Sequence, residues 1–137
     1  LGNHALLPGA VEELLRFWPP VIHFRRTATC GVELGGQRIE AGHKVAVYHL
    51  AANRDPAVFD DPHRLDLRRV DNDHVSFGFG PHFCLGAHLA RRQVRSMLEE
   101  LMTQLGRLEL GGPPIRLQSN FQQGLKSLPV KWNTDRQ

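Results

Sequence analysis

The chain has 137 residues, of which 41% are hydrophobic and 23% are charged, values that are typical of a single globular domain. Its net charge of +3 is too small to indicate nucleic-acid binding by itself, and no apolar run approaches the roughly 20 residues that span a bilayer. The N-terminal residues lack the pattern of a signal peptide and two cysteines are too few for a disulfide scaffold, so a reducing, cytoplasmic setting is expected.

The first predicted element is a helix that begins at Pro8 and ends at Trp18, just before two consecutive prolines. Val11, Leu14 and Leu15 fall, together with Trp18, at the spacing of one helix face. The sequence therefore predicts an amphipathic helix that buries these side chains.

The next segment has the composition of a small sheet. Strands are predicted at residues 21–28, 31–34, 37–40 and 44–48. Two consecutive glycines, Gly35 and Gly36, separate two of these runs and indicate a hairpin turn. Cys30 lies among the predicted strands, and we expect it to be buried or half-buried.

Irregular structure is predicted after the sheet. One helical turn is expected at residues 50–54, where Asp55 and Pro56 end it. Residues 55–74 show little periodicity, and ordered stretches of this kind are uncommon and usually functional.

A long helix is predicted at residues 85–105, followed by short strands at 115–132 around a turn at Gln123 and Gly124. The apolar face that this helix is expected to bury consists of Leu85, Leu89, Met97, Leu98, Leu101 and Leu105. Because helices and strands are segregated along the chain rather than alternating, the predicted fold class is α+β.

The loop at residues 77–86 combines glycines and phenylalanines around Cys84. Gly78 and Gly80 allow backbone conformations that a side chain would forbid. Cys84 comes just before the long helix, where free backbone N–H groups and the positive end of the helix dipole favour a thiolate. The side chains expected to shield the sulfur from water are Phe77, Phe79 and Phe83. A shielded, hydrogen-bonded thiolate suits an axial ligand of iron.

Two other interpretations of Cys84 remain open at this point. Free cysteines are often buried for structural reasons alone, so a buried cysteine in a tight turn is one alternative. A zinc site formed by His82, Cys84 and His88 is the other, although it lacks a clear fourth ligand and the usual paired spacing.

Glu13 and Arg16 lie three residues apart on the first helix, so they share a face and can form an ion pair. Pairs with this spacing are usually solvated surface contacts. By itself the pair therefore indicates no function.

Three motifs, in this order along the chain, resemble the C-terminal part of bacterial cytochromes P-450. A Glu-x-x-Arg motif lies on the first helix, and Asp61-Pro62-His63-Arg64-Leu65 is similar to the family's meander. The heme signature Phe-x-x-Gly-x-x-x-Cys-x-Gly is matched at each fixed position by Phe77, Gly80, Cys84 and Gly86.

The resemblance implies the C-terminal part of a mainly helical parent fold. Its elements would be the K helix, a small β-sheet, the meander, the heme-thiolate loop, the long L helix and a terminal β-hairpin. Residues 1–137 would then be the C-terminal heme-thiolate portion of a single larger domain.

In the family, the cysteine is the thiolate ligand of heme b, so the resemblance implies that Cys84 is both the metal ligand and the catalytic centre. Arg26 and His82 match positions that bind the heme propionates, whereas Arg25 would point to the other face of its strand. The implied cofactor-binding residues are Arg26, Ser76, Phe77, Gly78, His82, Cys84, Leu85, Gly86 and Ala90. The implied structural ion network consists of Glu13, Arg16 and Arg64.

The resemblance also implies an apolar substrate that is hydroxylated with dioxygen. The side chains that would face it are Val21, Ile22, Phe24 and Phe121. These segments are similar to those of members that oxidise sterols and methyl-branched lipids. A ferredoxin or another redox partner would dock on a basic patch formed by Arg68, Arg69, Arg91, Arg92 and Arg95. Neither nucleic acid nor a membrane span is expected.

Nothing in the sequence resembles the family's long central helix, whose acid-threonine pair delivers protons during oxygen activation. We therefore expect this chain alone to be an inactive portion of a longer gene product. The alternative is a heme-binding or electron-transfer module without oxygenase activity.

Overall fold

A computed structural model describes residues 4–105 and 107–132 of the chain. The elements follow the predicted order of helix, small sheet, irregular segment, glycine loop, long helix and terminal strands. No helix within the described ranges is long and apolar enough to cross a membrane. Apart from Pro19, which follows the first helix, the buried apolar side chains come from the first helix, the irregular segment and the start of the long helix, and they are Leu7, Ala10, Val11, Leu15, Phe59 and Ala87.

Helix α1, Leu7–Phe17, has a proline in its first turn and ends at Trp18, as the sequence predicts. The N–H group of Trp18 donates to the carbonyl oxygen of Leu14 at 2.8 Å. The predicted apolar face is wrong for Trp18, which is 51% exposed, because its backbone leaves the helical conformation there. Glu13 and Arg16 are instead fully buried on this helix.

Four short strands follow α1 within the described ranges, and they form two antiparallel pairs. They are β1 (His23–Thr27) with β4 (Lys44–Tyr48), and β2 (Val32–Leu34) with β3 (Gln37–Ile39). Gly35 and Gly36 have φ values of 57° and 73°, so the hairpin turn lies where the sequence predicts it. The expected burial of Cys30 is wrong, because this residue lies in an exposed bend between β1 and β2.

Helix α2, His49–Ala52, is a single turn that begins one residue before its predicted start. From residue 53 to residue 79 the chain forms turns and bends, as predicted. Asp61 has a φ of 45°, a left-handed conformation that aspartate tolerates in turns. His49 and Asn53, at the two ends of α2, are both buried and anchor this segment in the interior.

Helix α3, Ala87–Gln104, begins two residues after its predicted start and packs chiefly on α1. The predicted buried face is wrong for Leu85, Leu89 and Met97, which are 100%, 61% and 61% exposed. They are exposed because α1 covers only one side of α3 within the described part of the chain. The other members of that predicted face are half-buried: Leu98, Leu101 and Leu105.

The described chain ends in two antiparallel strand pairs. They are β5 (Leu108–Leu110) with β8 (Val130–Trp132), and β6 (Ile115–Arg116) with β7 (Leu125–Ser127). The chain reverses between β6 and β7, where the N–H group of Leu117 donates to the carbonyl oxygen of Gly124 at 2.9 Å, but the predicted position of the turn is wrong, because the bends lie at Asn120 and Phe121 rather than at Gln123 and Gly124. Strand β5 was not predicted. The N–H group of Ile22 donates to the carbonyl oxygen of Phe121 at 2.9 Å, which joins the terminal strands to the start of β1.

Candidate functional site

The loop at residues 77–86, hereafter the cysteine loop, and the β1–β4 pair border an open cavity of about 760 Å³. Six of the residues expected to bind a cofactor line this cavity: Arg26, Ser76, Phe77, Gly78, His82 and Cys84. Leu85, Gly86 and Ala90 were expected to join them, but they do not line it, and Leu85 is fully exposed. The structure thus brings most of the expected site together around one cavity.

Two glycines in left-handed conformations shape the cysteine loop. Gly78 has a φ of 70° and Gly80 a φ of 67°, so a side chain at either position would be strained. The N–H group of Cys84 donates to the carbonyl oxygen of Phe77 at 2.9 Å and closes the loop on itself. These glycines therefore have the conformational role that the sequence predicts.

Cys84 lies at the start of α3 with its thiol accessible from the cavity. Its carbonyl oxygen accepts a hydrogen bond from the N–H group of Ala87 at 3.2 Å, so the positive end of α3 lies beside it. A Cβ atom built on Gly86 would lie 3.9 Å from Cys84 Sγ. The expected shielding of the sulfur by phenylalanines is wrong for Phe79 and Phe83, which are 74% and 47% exposed. The sulfur faces the open cavity instead, and Cys84 is exposed.

Arg26 and Phe24 share one face of β1, and both line the cavity. Arg25 lies between them on the other face, as predicted. The guanidinium Cζ of Arg26 lies 5.9 Å from the centroid of the Phe24 ring, and Nη1 donates to the carbonyl oxygen of Arg25 at 3.1 Å. Among the described residues no carboxylate pairs with Arg26. Its charge is therefore available to an acidic group in the cavity.

His49 is a cavity residue that the sequence did not single out. Its side chain is buried beside Phe24, with ring centroids 5.6 Å apart, and it lines the cavity near Arg26. Burial lowers the pKa of His49, and the positive charge of Arg26 lowers it further. Its Nδ1 atom is enclosed and has no hydrogen-bond partner among the described residues. An isolated histidine at the end of a predicted strand carried no pattern that would have identified it.

These residues fit the heme that the resemblance implies. The cavity offers a thiol for a metal, apolar side chains for a flat macrocycle, and Arg26 and His82 for acidic substituents. The buried His49, which lacks a partner at Nδ1, adds a polar group at the same cavity.

Glu13 and Arg16 form a fully buried, bidentate ion pair. Arg16 Nε lies 2.7 Å from Glu13 Oε2, and Arg16 Nη2 lies 2.8 Å from Glu13 Oε1. The guanidinium also donates to the carbonyl oxygens of Asn53, Pro62 and Arg64 at 2.7, 2.9 and 3.1 Å. The pair on α1 therefore fixes the path of the irregular segment.

The structure corrects the expected third member of this network. Arg64 is exposed and contributes only its carbonyl oxygen, because the turn closed by its N–H group on Asp61 directs that carbonyl to Arg16. The arginine whose side chain reaches Glu13 is Arg69, with Nε 3.2 Å from Oε2.

Glu13 is ionised under ordinary conditions. Burial alone would raise its pKa, but hydrogen bonds from Arg16 and from the N–H group of Asp66, with the charges of Arg16 and Arg69, lower the pKa from 4.5 to about 2. Because this pKa is lower in the folded chain, the carboxylate stabilises the fold above about pH 4.5, and the stabilisation is lost as the pH falls towards 2.

Asn53 connects the ion pair to the cysteine loop, a role that was not predicted. Its Nδ2 donates to Ser76 Oγ at 2.7 Å and to the carbonyl oxygen of Arg16 at 3.2 Å, while its Oδ1 accepts from the N–H group of Val75 at 2.9 Å. Ser76 Oγ donates in turn to the carbonyl oxygen of Leu15 at 2.8 Å. Sequence reasoning missed Asn53 because an asparagine after a helical turn is ordinarily a turn residue.

The side chains expected to face a substrate divide into two groups. Val21 and Phe24 line the cavity. Phe121 packs against Phe24, with ring centroids 5.8 Å apart, but it and Ile22 are not among the lining residues. The structure therefore places two of these four residues on the cavity wall and leaves the other two outside it.

The predicted basic patch is partly neutralised. Carboxylates of the chain pair with three of its five arginines: Glu12 with Arg91, Glu13 with Arg69, and Glu99 with Arg95. This surface is therefore less positive than the count of arginines suggests.

The zinc alternative is wrong. Within residues 4–105 and 107–132, no three His, Cys, Asp or Glu side chains lie close enough together to hold a metal ion. His82, Cys84 and His88 therefore do not form a site of that kind.

A family model described as cytochrome P-450 matches residues 2–132. The methyl-branched lipid omega-hydroxylase of Mycobacterium tuberculosis is 46% identical over 129 residues, which are 93% of this chain and 30% of that protein. The steroid C26-monooxygenase of Mycolicibacterium smegmatis is 43% identical over 127 residues, which are 91% of this chain and 32% of that protein.

Solved structures show the same similarity. The crystal structure of CYP108D1 from Novosphingobium aromaticivorans is 47% identical and superposes with a TM-score of 0.91, covering 97% of this chain and 32% of that one. The predicted fold class is thus confirmed, and the chain spans about a third of the length of the relatives that it matches.

Replacing Glu13 by Gln is expected to lower the free energy of unfolding by about 3 kcal/mol or more, because it leaves Arg16 buried without its counter-charge. Urea unfolding of the full gene product measures this change. Glu99→Gln, which removes the exposed pair with Arg95, is the matched control and should cost about 1 kcal/mol at most. Equal losses in the two variants would contradict the structural role of the buried pair.

The same carboxylate predicts a pH dependence. Between about pH 4.5 and pH 2 the free energy of unfolding should fall more steeply in the natural protein than in Glu13→Gln. In this pH range Glu13 takes up a proton in the unfolded chain but stays ionised in the folded chain, so falling pH favours unfolding. Urea unfolding at a series of pH values tests this, and parallel curves for the two proteins would refute it.

Proposed function

This chain belongs to the cytochrome P-450 family, and we propose that it provides the iron-ligating cysteine, Cys84, of a heme-thiolate monooxygenase. Residues 1–137 would form the C-terminal portion of one larger domain. The observation that carries the proposal is the accessible thiol of Cys84 at the start of α3, on the wall of a cavity that Arg26 also lines.

The surroundings of Cys84 suit a thiolate ligand. The start of α3 favours the anionic form of the sulfur, and the hydrogen bond from Cys84 N–H to Phe77 fixes the backbone that carries it. A side chain at position 86 would be in contact with the sulfur, so Gly86 leaves that side clear. The chain's contribution is a pre-formed loop that presents one thiol to the cavity.

Arg26 and His82 are proposed to hold the two carboxylates of the heme. The charge of Arg26 is unpaired by any described carboxylate, and His82 lines the same cavity. His49 lies close enough to Arg26 for that charge to lower its pKa, so an acidic group placed between them would meet both. The aromatic ring of Phe24 would pack against the apolar part of the cofactor.

When bound, heme with a thiolate ligand activates dioxygen, so that one oxygen atom enters a C–H bond and the other leaves as water, with two electrons and two protons supplied from outside. We propose an apolar substrate, a sterol or a branched lipid. Two relatives named as a methyl-branched lipid omega-hydroxylase and a steroid C26-monooxygenase support this class. Val21 and Phe24, which line the cavity, would contact it from β1 and the residues just before β1.

Electrons would come from a ferredoxin or a similar redox partner in the cytoplasm. Arg91, Arg92 and Arg95 lie together around one hollow between α1 and α3, and they would supply positive charge for an acidic partner. Because Glu12 and Glu99 neutralise two of them, Arg92 is the member we expect to matter most for docking.

The alternative function is a heme-binding or electron-transfer module. It is favoured by the cavity, which is open and which, in the described ranges, is lined only by the cysteine loop, the β1–β4 pair and the adjacent residues Val21, His49 and Ser76. Oxidation of a branched lipid by the full gene product with ferredoxin and its reductase would support the monooxygenase, and reversible reduction without oxidation would support the module.

Thiolate ligation has a direct spectroscopic test. The full gene product, reduced with dithionite under carbon monoxide, is expected to show a strongly red-shifted Soret band that disappears in Cys84→Ser, because only a thiolate ligand causes that shift. Cys30→Ser is the matched control and should retain the band, since Cys30 lies in a bend outside the cavity. A red-shifted band in Cys84→Ser, or no heme uptake by the natural protein, would refute the proposal.

The proposed contact between Arg26 and the cofactor can be tested with the neighbouring Arg25 as a matched control. Arg26→Ala should speed the transfer of heme to apomyoglobin about tenfold or more, because a charge-assisted hydrogen bond to a carboxylate is worth roughly 1.5–3 kcal/mol. Arg25→Ala, on the opposite face of β1, should leave the rate unchanged. Equal rates in the two variants would remove Arg26 from the cofactor site.

A further inference from the structure

Glu12 on α1 lies at the centre of a second polar cluster, separate from the Glu13 network. Its carboxylate receives two hydrogen bonds from Arg91 of α3, from Nε at 2.8 Å and from Nη2 at 2.9 Å. His74 Nε2 lies 3.1 Å from Glu12 Oε2. One carboxylate thus joins α1, α3 and the segment that leads into the cysteine loop.

Both partners of Glu12 also contact Phe77, the first residue of that loop. The guanidinium Cζ of Arg91 lies 4.6 Å from the centroid of the Phe77 ring, within the range of a cation–π contact. The His74 ring lies 6.0 Å from the Phe77 ring. The carbonyl oxygen of Phe77 accepts the N–H group of Cys84 at 2.9 Å, so a shift of Phe77 is transmitted to the cysteine.

The hydrogen bonds define the protonation of the cluster. His74 Nδ1 accepts from the N–H group of Ser76 at 3.3 Å, so the proton of the neutral ring is on Nε2 and points to Glu12. Burial lowers the pKa of His74, although the charge of Glu12 opposes this effect. Burial raises the pKa of Glu12, but Arg91 and His74 together outweigh it and lower that pKa. A neutral histidine and a carboxylate therefore share the cluster.

We propose that Glu12 is a positioning residue for Cys84. Glu12 holds Arg91 and His74 against Phe77, and it thereby fixes the backbone that carries the thiolate. The inference rests on the proposed function, since it concerns the iron ligand. It goes beyond that function because Glu12, Arg91 and His74 are not among the residues that line the cavity.

A plain connection between α1 and α3 would need only the Glu12–Arg91 pair. The structure adds two features that such a connection does not require. Arg91 is turned onto the face of Phe77, and His74, whose side chain is only 2% exposed, ties the loop segment to the same carboxylate. These contacts surround the residue whose carbonyl oxygen holds the Cys84 N–H group.

The test compares Glu12→Gln and Arg91→Lys with Glu99→Gln in the full gene product. Glu12→Gln keeps the shape of the side chain but removes its charge, and Arg91→Lys keeps the positive charge but removes the planar, bidentate group. Glu99→Gln removes the ion pair between Glu99 and Arg95. This pair lies on α3, the helix of Arg91, but farther from the cysteine loop. The readouts are amide hydrogen exchange of the Cys84 N–H group, with or without heme, and the Soret band of the reduced carbon monoxide complex.

We expect exchange at Cys84 to become about fivefold faster in Glu12→Gln and in Arg91→Lys, the change that corresponds to about 1 kcal/mol, with no change in Glu99→Gln. The fraction of the carbon monoxide complex with the red-shifted band should fall in the same two variants. Exchange of the β1–β4 amides should stay constant, which separates a local effect on the loop from a general loss of stability.

The inference would be overturned if hydrogen exchange at Cys84 were unchanged in Glu12→Gln. It would also be overturned if exchange became faster by the same factor at Cys84 and in β1–β4, because Glu12 would then only stabilise the fold. If the natural protein shows no red-shifted band while the exchange result holds, the proposed function fails and the positioning of the Cys84 backbone stands. If the band is present and exchange is unaffected, the function stands and the positioning role fails.

Discussion

A guanidinium enclosed by protein needs an acceptor for nearly every N–H group, and Arg16 meets this requirement with Glu13 and the carbonyl oxygens of Asn53, Pro62 and Arg64. Each of those carbonyls lies in a segment without regular secondary structure. Because the charge cannot be left unpaired, these segments have little freedom to take another path. The buried pair thereby holds the chain where a helix or sheet would use regular backbone hydrogen bonds.

The same requirement extends towards the cavity. Asn53 lies next to Arg16 and binds Ser76, which directly precedes the cysteine loop. At the same end of the loop, Arg91 of α3 is paired with Glu12 of α1 and lies over the ring of Phe77. The loop is thus fixed by polar contacts at its start, while two left-handed glycines determine its internal shape. Each contact joins a residue that lines the cavity, Ser76 or Phe77, to one that does not, Asn53 or Arg91, so the site depends on side chains that do not reach it.

The sequence predicted what glycine, proline and strict motifs determine locally: the limits of α1, the Gly35–Gly36 hairpin, β4 and the position of Cys84. It failed where the answer depends on what packs against a segment. The apolar residues of α3 were assigned to a core although α1 covers only one side of that helix. Arg69, rather than Arg64, reaches Glu13 because a turn decides which arginine points inward, and Asn53 and His49 were missed because isolated polar residues carry no periodic signal.

The buried ion pair of Glu13 and Arg16 also has a consequence for the order of folding. Its partners are distant in sequence, since Arg16 and Asn53 are 37 positions apart and Glu13 and Asn72 are 59 positions apart, whereas β2 and β3 are joined by two glycines. Closing a long chain segment costs more conformational entropy than closing a hairpin, and contacts of large sequence separation slow folding. We therefore expect the hairpin and the helices to form early and the cysteine loop to take its shape only when the last of these distant contacts closes.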